Sequence, residues 1–193
     1  MKPMFTPSGR LYRGGSTYNI VHLDGTPRIE INGGKDFAAG ALTYGLGEYK
    51  SQAGRKVMMA FPTGKVRSME PQLKGIGLGT LMLKIAENNC LAAHKSIKPF
   101  EKLFIGGNTR YISALCLFLA NGYKLTAESW RELSMSGISK KFPIEFREGN
   151  EAVLRKHLKV ISKTDYLGGS FASVIVNFYK EMKKPNKLPA GFR

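Results

Sequence analysis

The stretch PQLKGIGLGTLML, residues 71 to 83, sets Gly75, Gly77 and Gly79 at alternate positions directly ahead of an apolar helical pattern. A glycine-rich turn that opens a helix is suited to anions. The first-turn N–H groups have no intrahelical acceptor, and the helix dipole places partial positive charge beside them. From Leu78 onward, Leu78, Leu81, Met82, Ile85 and Ala86 recur at helical spacing, while Thr80, Lys84, Glu87 and Asn88 fall on the other side. That pattern predicts an amphipathic helix lying on a sheet.

Upstream, the chain reads as short strands and tight turns. YNIVHL (18–23) and RIEIN (28–32) flank DGTP (24–27), the signature of a hairpin. FAAGALTYG (37–45) and KVMMAF (56–61) are further strands, with the polar LGEYKSQAGR (46–55) read as a loop between them. PTGK (62–65) turns into a short strand, VRSM (66–69), which ends where the glycines begin. Downstream, KLFIGG (102–107) has strand length, and a helix is expected after Asn108 or Thr109, with Asn121-Gly122 as its stop. YKLTAE (123–128) is extended, KFPIEF (141–146) a candidate strand, and NEAVLRKHL (150–158) a helix capped by Asn150. FASVIVNFY (171–179) suits a strand or a buried helix equally, and KKPNKLPAGFR (183–193) reads as a frayed basic tail. The central order is strand, glycine loop, helix, strand, helix, strand, after a run of antiparallel strands. It predicts an α/β fold with a mixed central sheet flanked by helices, as one domain over residues 1–193.

Composition narrows the class. With 42% apolar and 23% charged residues, and neither a long apolar run nor a signal-like start, the chain reads as soluble and cytoplasmic, with no membrane partner. Cys90 and Cys116 lie in apolar helical stretches and read as buried structural thiols. Thirty basic against fourteen acidic residues give a net charge of +16, distributed as +5, +4 and +7 over residues 1–65, 66–130 and 131–193. Such a charge admits an acidic ligand or nucleic acid as partner.

The glycine stretch excludes two familiar phosphate loops. A nucleotide P-loop requires lysine after its last glycine, and here Gly79 is followed by Thr80. A dinucleotide fingerprint requires a third glycine where Thr80 stands. Two readings remain: a merely tight strand-to-helix turn, which accounts for one glycine well and three poorly, and Q-x-x-G-x-G, with Gln72, Gly75 and Gly77. On these residues the chain resembles the GNAT superfamily of N-acetyltransferases, whose acyl-CoA motif lies between a central strand and a helix. A second match follows in FIGGNTRYISALCLFLANGYK, where Asn108 precedes a helix carrying Ala114, Leu117, Phe118, Gly122 and Tyr123 in the family's register. The resemblance covers residues 37–126 and leaves 127–193 unassigned.

The resemblance implies splayed central strands, acetyl-CoA as acyl donor and a primary amine as acceptor, with no covalent enzyme intermediate. Amides of Leu73, Lys74, Gly75, Ile76, Gly77, Leu78, Gly79 and Thr80 would cradle the pyrophosphate. Arg67, Ser68 and Met69 would pair with the pantetheine arm, an amide near Met69 would meet the oxyanion, and Asn108 and Ser113 would stand across the cleft. Glu70 at the strand end and Glu48 in a loop are the candidate bases; His22 is a weaker one. Phe118 occupies the position of the family's general-acid tyrosine and has no hydroxyl; Tyr111, Ser113 or Tyr123 would have to substitute. His94 and His157 lack partners at ligand spacing, so no metal is expected. The family has one or two helices between its first two strands, for which NGGKDF (32–37) leaves almost no room. The charge and the open acceptor side this implies point to a macromolecular acceptor, a protein amine or an aminoacyl-tRNA, with a small-molecule amine as the other reading, on a monomer or homodimer. The alternative is a degenerate GNAT-like module that binds CoA or nucleic acid without catalysis.

Overall fold

A computed structural model describes residues 4–5, 10–13, 16–22, 28–32, 38–43, 46–50, 56–60, 77–97, 102–135, 149–161 and 174–189. The chain divides into two compact units, Met1–Ile105 with Met182–Arg193, and Gly106–Glu181. The strands are β1 (Met4–Phe5), β2 (Arg10–Arg13), β3 (Ser16–His22), β4 (Arg28–Asn32), β5 (Ala38–Thr43), β6 (Leu46–Lys50), β7 (Lys56–Ala60), β8 (Leu103–Thr109), β9 (Lys124–Leu125) and β10 (Val176–Met182). The helices are α1 (Leu78–Ile97), α2 (Ile112–Ala120), α3 (Ala127–Met135) and α4 (Glu151–Ile161). The fold is mixed α/β, but its described strands form two sheets where one was expected: β1-β2-β3-β4-β5 and β6-β7-β8-β10-β9.

In the first unit, β1 to β5 form an antiparallel meander. The hairpin read around DGTP is there, with His22 opposite Ile29 at its end and a register irregularity at Ile31/Asn32. The segment read as a loop before KVMMAF is corrected. Leu46–Lys50 is strand β6, antiparallel to β7, with Glu48 opposite Met58. Among the described strands β6 lies at the end of its sheet, a position that tolerates Glu, Lys and Gly. Strand β7 then pairs in parallel with β8 through Met58–Leu103, Met59–Phe104 and Ala60–Ile105. A parallel pair needs a long crossover, and α1 supplies it. The candidate strand 66–69 lies outside the described residues.

Helix α1 begins where the apolar period begins and runs twenty residues, ending two before Pro99. It lies against β4 and β5. Leu78, Met82, Ala86 and Cys90 form one buried row, and Leu83, Glu87 and Leu91 a second. Glu87 therefore does not share the solvated side with Lys84 and Asn88: it is buried, and that reading is corrected. The tail reading is corrected too. Asn186 donates its backbone N–H to Asn88 Oδ1 (2.6 Å), while Asn88 Nδ2 donates to the Asn186 carbonyl (3.1 Å). A side-chain amide thus pairs with one residue's backbone as a neighbouring strand would. Asn186 Nδ2 in turn donates to Glu87 Oε2 at 2.6 Å, which gives the buried carboxylate the partner it requires.

In the second unit, α2 ends in a Schellman turn. The N–H of Tyr123 donates to the Phe118 carbonyl (3.2 Å), that of Gly122 to the Leu119 carbonyl (3.3 Å), and Gly122 has φ +82°. Helix α3 begins at Ala127, inside the YKLTAE (123–128) read as extended, and is capped by Thr126: its Oγ1 accepts the Ser129 N–H (3.2 Å) and donates to Ser129 Oγ (3.1 Å). Buried Ser129 Oγ also accepts the Asn177 N–H at 2.7 Å and so ties α3 to β10. Within the ambiguous FASVIVNFY, residues 176–179 belong to strand β10, antiparallel to β9 with Phe178 opposite Leu125. Helix α4 starts after Asn150, whose carbonyl accepts the Leu154 N–H (3.0 Å), and packs on α2.

Candidate functional site

The glycine stretch is described from Gly77. That residue has φ +91°, a conformation L side chains rarely adopt, and its carbonyl accepts the Leu81 N–H at 3.0 Å. It is therefore the cap from which α1 starts. The amides of Leu78, Gly79 and Thr80 precede the first residue with an intrahelical acceptor. Leu78 is turned into the core and fixes the helix end, while Gly79 and Thr80 are half-buried. No acidic residue lies in the first turn, and His94 and Lys95 lie in the last, so the dipole's positive end is not neutralised from within the helix. Among the described residues, a Cβ built on Gly77 would meet nothing within 4 Å. Arg67, Ser68, Met69, Glu70, Gln72, Leu73, Lys74, Gly75 and Ile76 lie outside the described residues. Glu48 stands in β6, a strand and not the loop expected for it.

The second group of predicted residues clusters at the connection from β8 to α2. Asn108 is an exposed residue of β8, and the following Thr109 is buried, its Oγ1 accepting the Tyr111 N–H at 3.1 Å. Tyr111 caps α2 with extended backbone, its carbonyl accepting the Leu115 N–H (3.0 Å), and its side chain is 53% exposed. Ser113, in the first helical turn, is exposed as well. Asn108, Tyr111 and Ser113 thus share one short exposed connection. Phe118 does not join them. It is 9% exposed and stacks on Phe178, with centroids 4.1 Å apart and planes at 27°, while meeting Tyr123 edge-on at 5.1 Å. Tyr123 and Phe178 close the triangle at 5.6 Å. This ring cluster accounts for Phe118 as packing, and Lys180 Nζ lies 5.5 Å from the Tyr123 ring centroid.

The thiols differ. Burial, assisted by the neighbouring Glu87 carboxylate, pushes Cys90 up to about 12. Half-buried Cys116 is raised by burial but drawn back by Lys159 and Arg155 of α4. Sequence reasoning missed the Glu87–Asn186–Asn88 clamp. The available signal was the place of Glu87 midway between Leu83 and Leu91 in an apolar row; nothing in the tail marks Asn186 as its partner. Among the described residues, no group of three or more His, Cys, Asp or Glu is placed to hold a metal, and no helix is long and apolar enough to cross a membrane. No family model, curated protein or solved structure matches the chain.

Proposed function

We propose that the protein is a cytoplasmic, GNAT-like N-acyltransferase that transfers an acetyl group from acetyl-CoA to a primary amine on a macromolecule, a protein or an aminoacyl-tRNA. The observation that carries this reading is the crossover from β7 to the parallel β8, in which the glycine stretch opens α1 at the left-handed Gly77. The left-handed Gly77 and the acid-free first turn fit an approaching pyrophosphate. The order strand, glycine loop, helix, strand, helix, strand supports the same assignment.

In this reading the chain supplies position more than chemistry. The amide run up to Thr80 orients the donor, and holding donor and amine together can contribute about 7 to 11 kcal/mol. The amine nitrogen attacks the thioester carbonyl, a C–N bond forms, and the C–S bond breaks. An amine with a pKa of about 10.4 must first lose a proton, the task assigned to Glu70 or Glu48 and worth roughly 10²- to 10⁴-fold. The departing thiolate is tolerable without an acid near neutral pH, since a thiol pKa is about 8.5. Exposed Tyr111 and Ser113 are the hydroxyls that stand nearest in sequence to a donor role.

Titration calorimetry with acetyl-CoA, CoA and NADH tests the reading. Binding of the first two at about tens of micromolar, and not of NADH, is expected; no CoA binding overturns it. Gly77→Val should abolish CoA binding while far-ultraviolet circular dichroism still shows the fold, with a small loss of helix at the strained start of α1. One observation favours the alternative, a CoA-binding module without catalysis: Phe118, where the family has its acid, is a packed ring without a hydroxyl. CoA binding without thiol release across amines, proteins and tRNA would select that alternative.

A further inference from the structure

The net charge is not spread evenly over the two units. Met1–Ile105 with Met182–Arg193 holds 19 basic and 7 acidic residues, +12, whereas Gly106–Glu181 holds 11 and 7, +4. Within the first unit, α1 and the segment 183–189 concentrate one sign. Lys84, Asn88 and Lys95 share a helix face at spacings of four and seven, and Lys95, Lys183, Lys184 and Lys187 are exposed. The only carboxylate in α1 or in 183–189 is Glu87, which is turned inward and bonded to Asn186. The segment is also stiff. Pro185 and Pro189 fix their own φ and hold Lys184 and Leu188 extended. Four hydrogen bonds at 2.6, 3.1, 2.6 and 3.3 Å seat Asn186 on Asn88 and Glu87 between Lys184 and Lys187.

We propose that the segment Lys183–Lys187, pinned to α1 by Asn186, is a docking strip for the phosphate backbone of a nucleic acid. A free basic tail must be ordered when it binds, at about 1 to 2 kcal/mol of backbone entropy per residue. Here the clamp meets that cost during folding, so the lysines are presented as a fixed row. An extended row of cations, with no carboxylate within 183–189, suits a regularly spaced polyanion, and a phosphodiester backbone is one. The strip requires no step of the acyl-transfer reading, and nucleic-acid binding is measured without CoA.

The test is fluorescence anisotropy with the full chain and a labelled RNA hairpin of about 20 nucleotides, repeated as duplex DNA, across a salt series. Lys184→Gln/Lys187→Gln keeps the clamp and should lower the log–log salt slope by about 1.5, since each phosphate contact contributes about 0.7 to 0.9. Asn186→Ala keeps every charge and should weaken binding about three- to tenfold, because the strip must then be ordered on binding. An unchanged slope and affinity in the lysine pair overturns the proposal, and unchanged affinity in a folded Asn186→Ala overturns the pinning. If Asn186→Ala does not fold, the lysine pair alone decides. Displacement of the RNA by poly-L-glutamate at equal charge concentration would assign the strip to acidic proteins and overturn the nucleic-acid assignment.

Discussion

Phe118 combines two structural duties in one ring. It is the third residue from the end of α2, so its carbonyl accepts the closing bond of the Schellman turn, and its ring supplies the apolar contact to Tyr123 that accompanies such turns. Phe118→Ala should therefore destabilise by about 3 to 5 kcal/mol in urea unfolding. A double-mutant cycle with Tyr123→Ala should return about 0.5 to 1.5 kcal/mol of coupling for the ring pair. Cys90 makes a pH-dependent prediction at the same scale. Its thiol rises from 9.0 to about 12 on folding, so the folded state holds the proton more tightly than the unfolded chain. The sign is then fixed: stability owed to this group is constant below pH 9 and falls above it, by at most about 1.4 kcal/mol per pH unit, until about pH 12. Comparing urea midpoints of wild type and Cys90→Ala at rising pH isolates that slope. Native-state alkylation should modify half-buried Cys116 ahead of Cys90.

Among the elements, the short helix α3 depends most visibly on one side chain. Thr126→Ala should cost about 1 kcal/mol through loss of the cap, read as a shift in urea midpoint. Ser129→Ala should cost about 1 to 3 kcal/mol, because the buried Asn177 N–H bond to β10 goes with it. Gly122→Ala meets open space but keeps φ +82°, so about 1 to 2 kcal/mol of backbone strain is expected and no clash. These elements also show what the sequence made legible. Helix α1, strand β8, the Asn-Gly stop of α2 and the Asn150 start of α4 were readable because periodicity and caps are local signals. Helix α3 was missed although Thr126, Glu128 and Ser129 form a start signal, because its apolar stripe reduces to Trp130 and Leu133. Strand β6 was missed because its pairing with β7, and not its composition, makes it a strand. Of the candidate residues, Gly77 stands at the start of α1 and Ser113 in the first turn of α2 as the sequence places them, whereas Asn108 falls inside β8 and Tyr111 precedes the helix as its cap. The pairing of Glu87 was not legible, because its partner lies 99 residues away.

For the whole molecule, that separation governs stability. Asn186→Ala removes a 2.6 Å bond to a buried carboxylate, a class of interaction worth about 1.5 to 3 kcal/mol, and should accelerate amide exchange in α1. The same clamp imposes an order on synthesis. Asn88 leaves the ribosome 98 residues before Asn186, which at about 5 to 20 residues per second is a delay of roughly 5 to 20 s. Throughout that interval α1 carries an inward-facing glutamate without the amide that receives it, while the intervening unit is being made. The first unit to emerge is thus the last to be finished, and a nascent chain that stalls after β10 would present α1 in the form a quality-control protease can distinguish from the complete one.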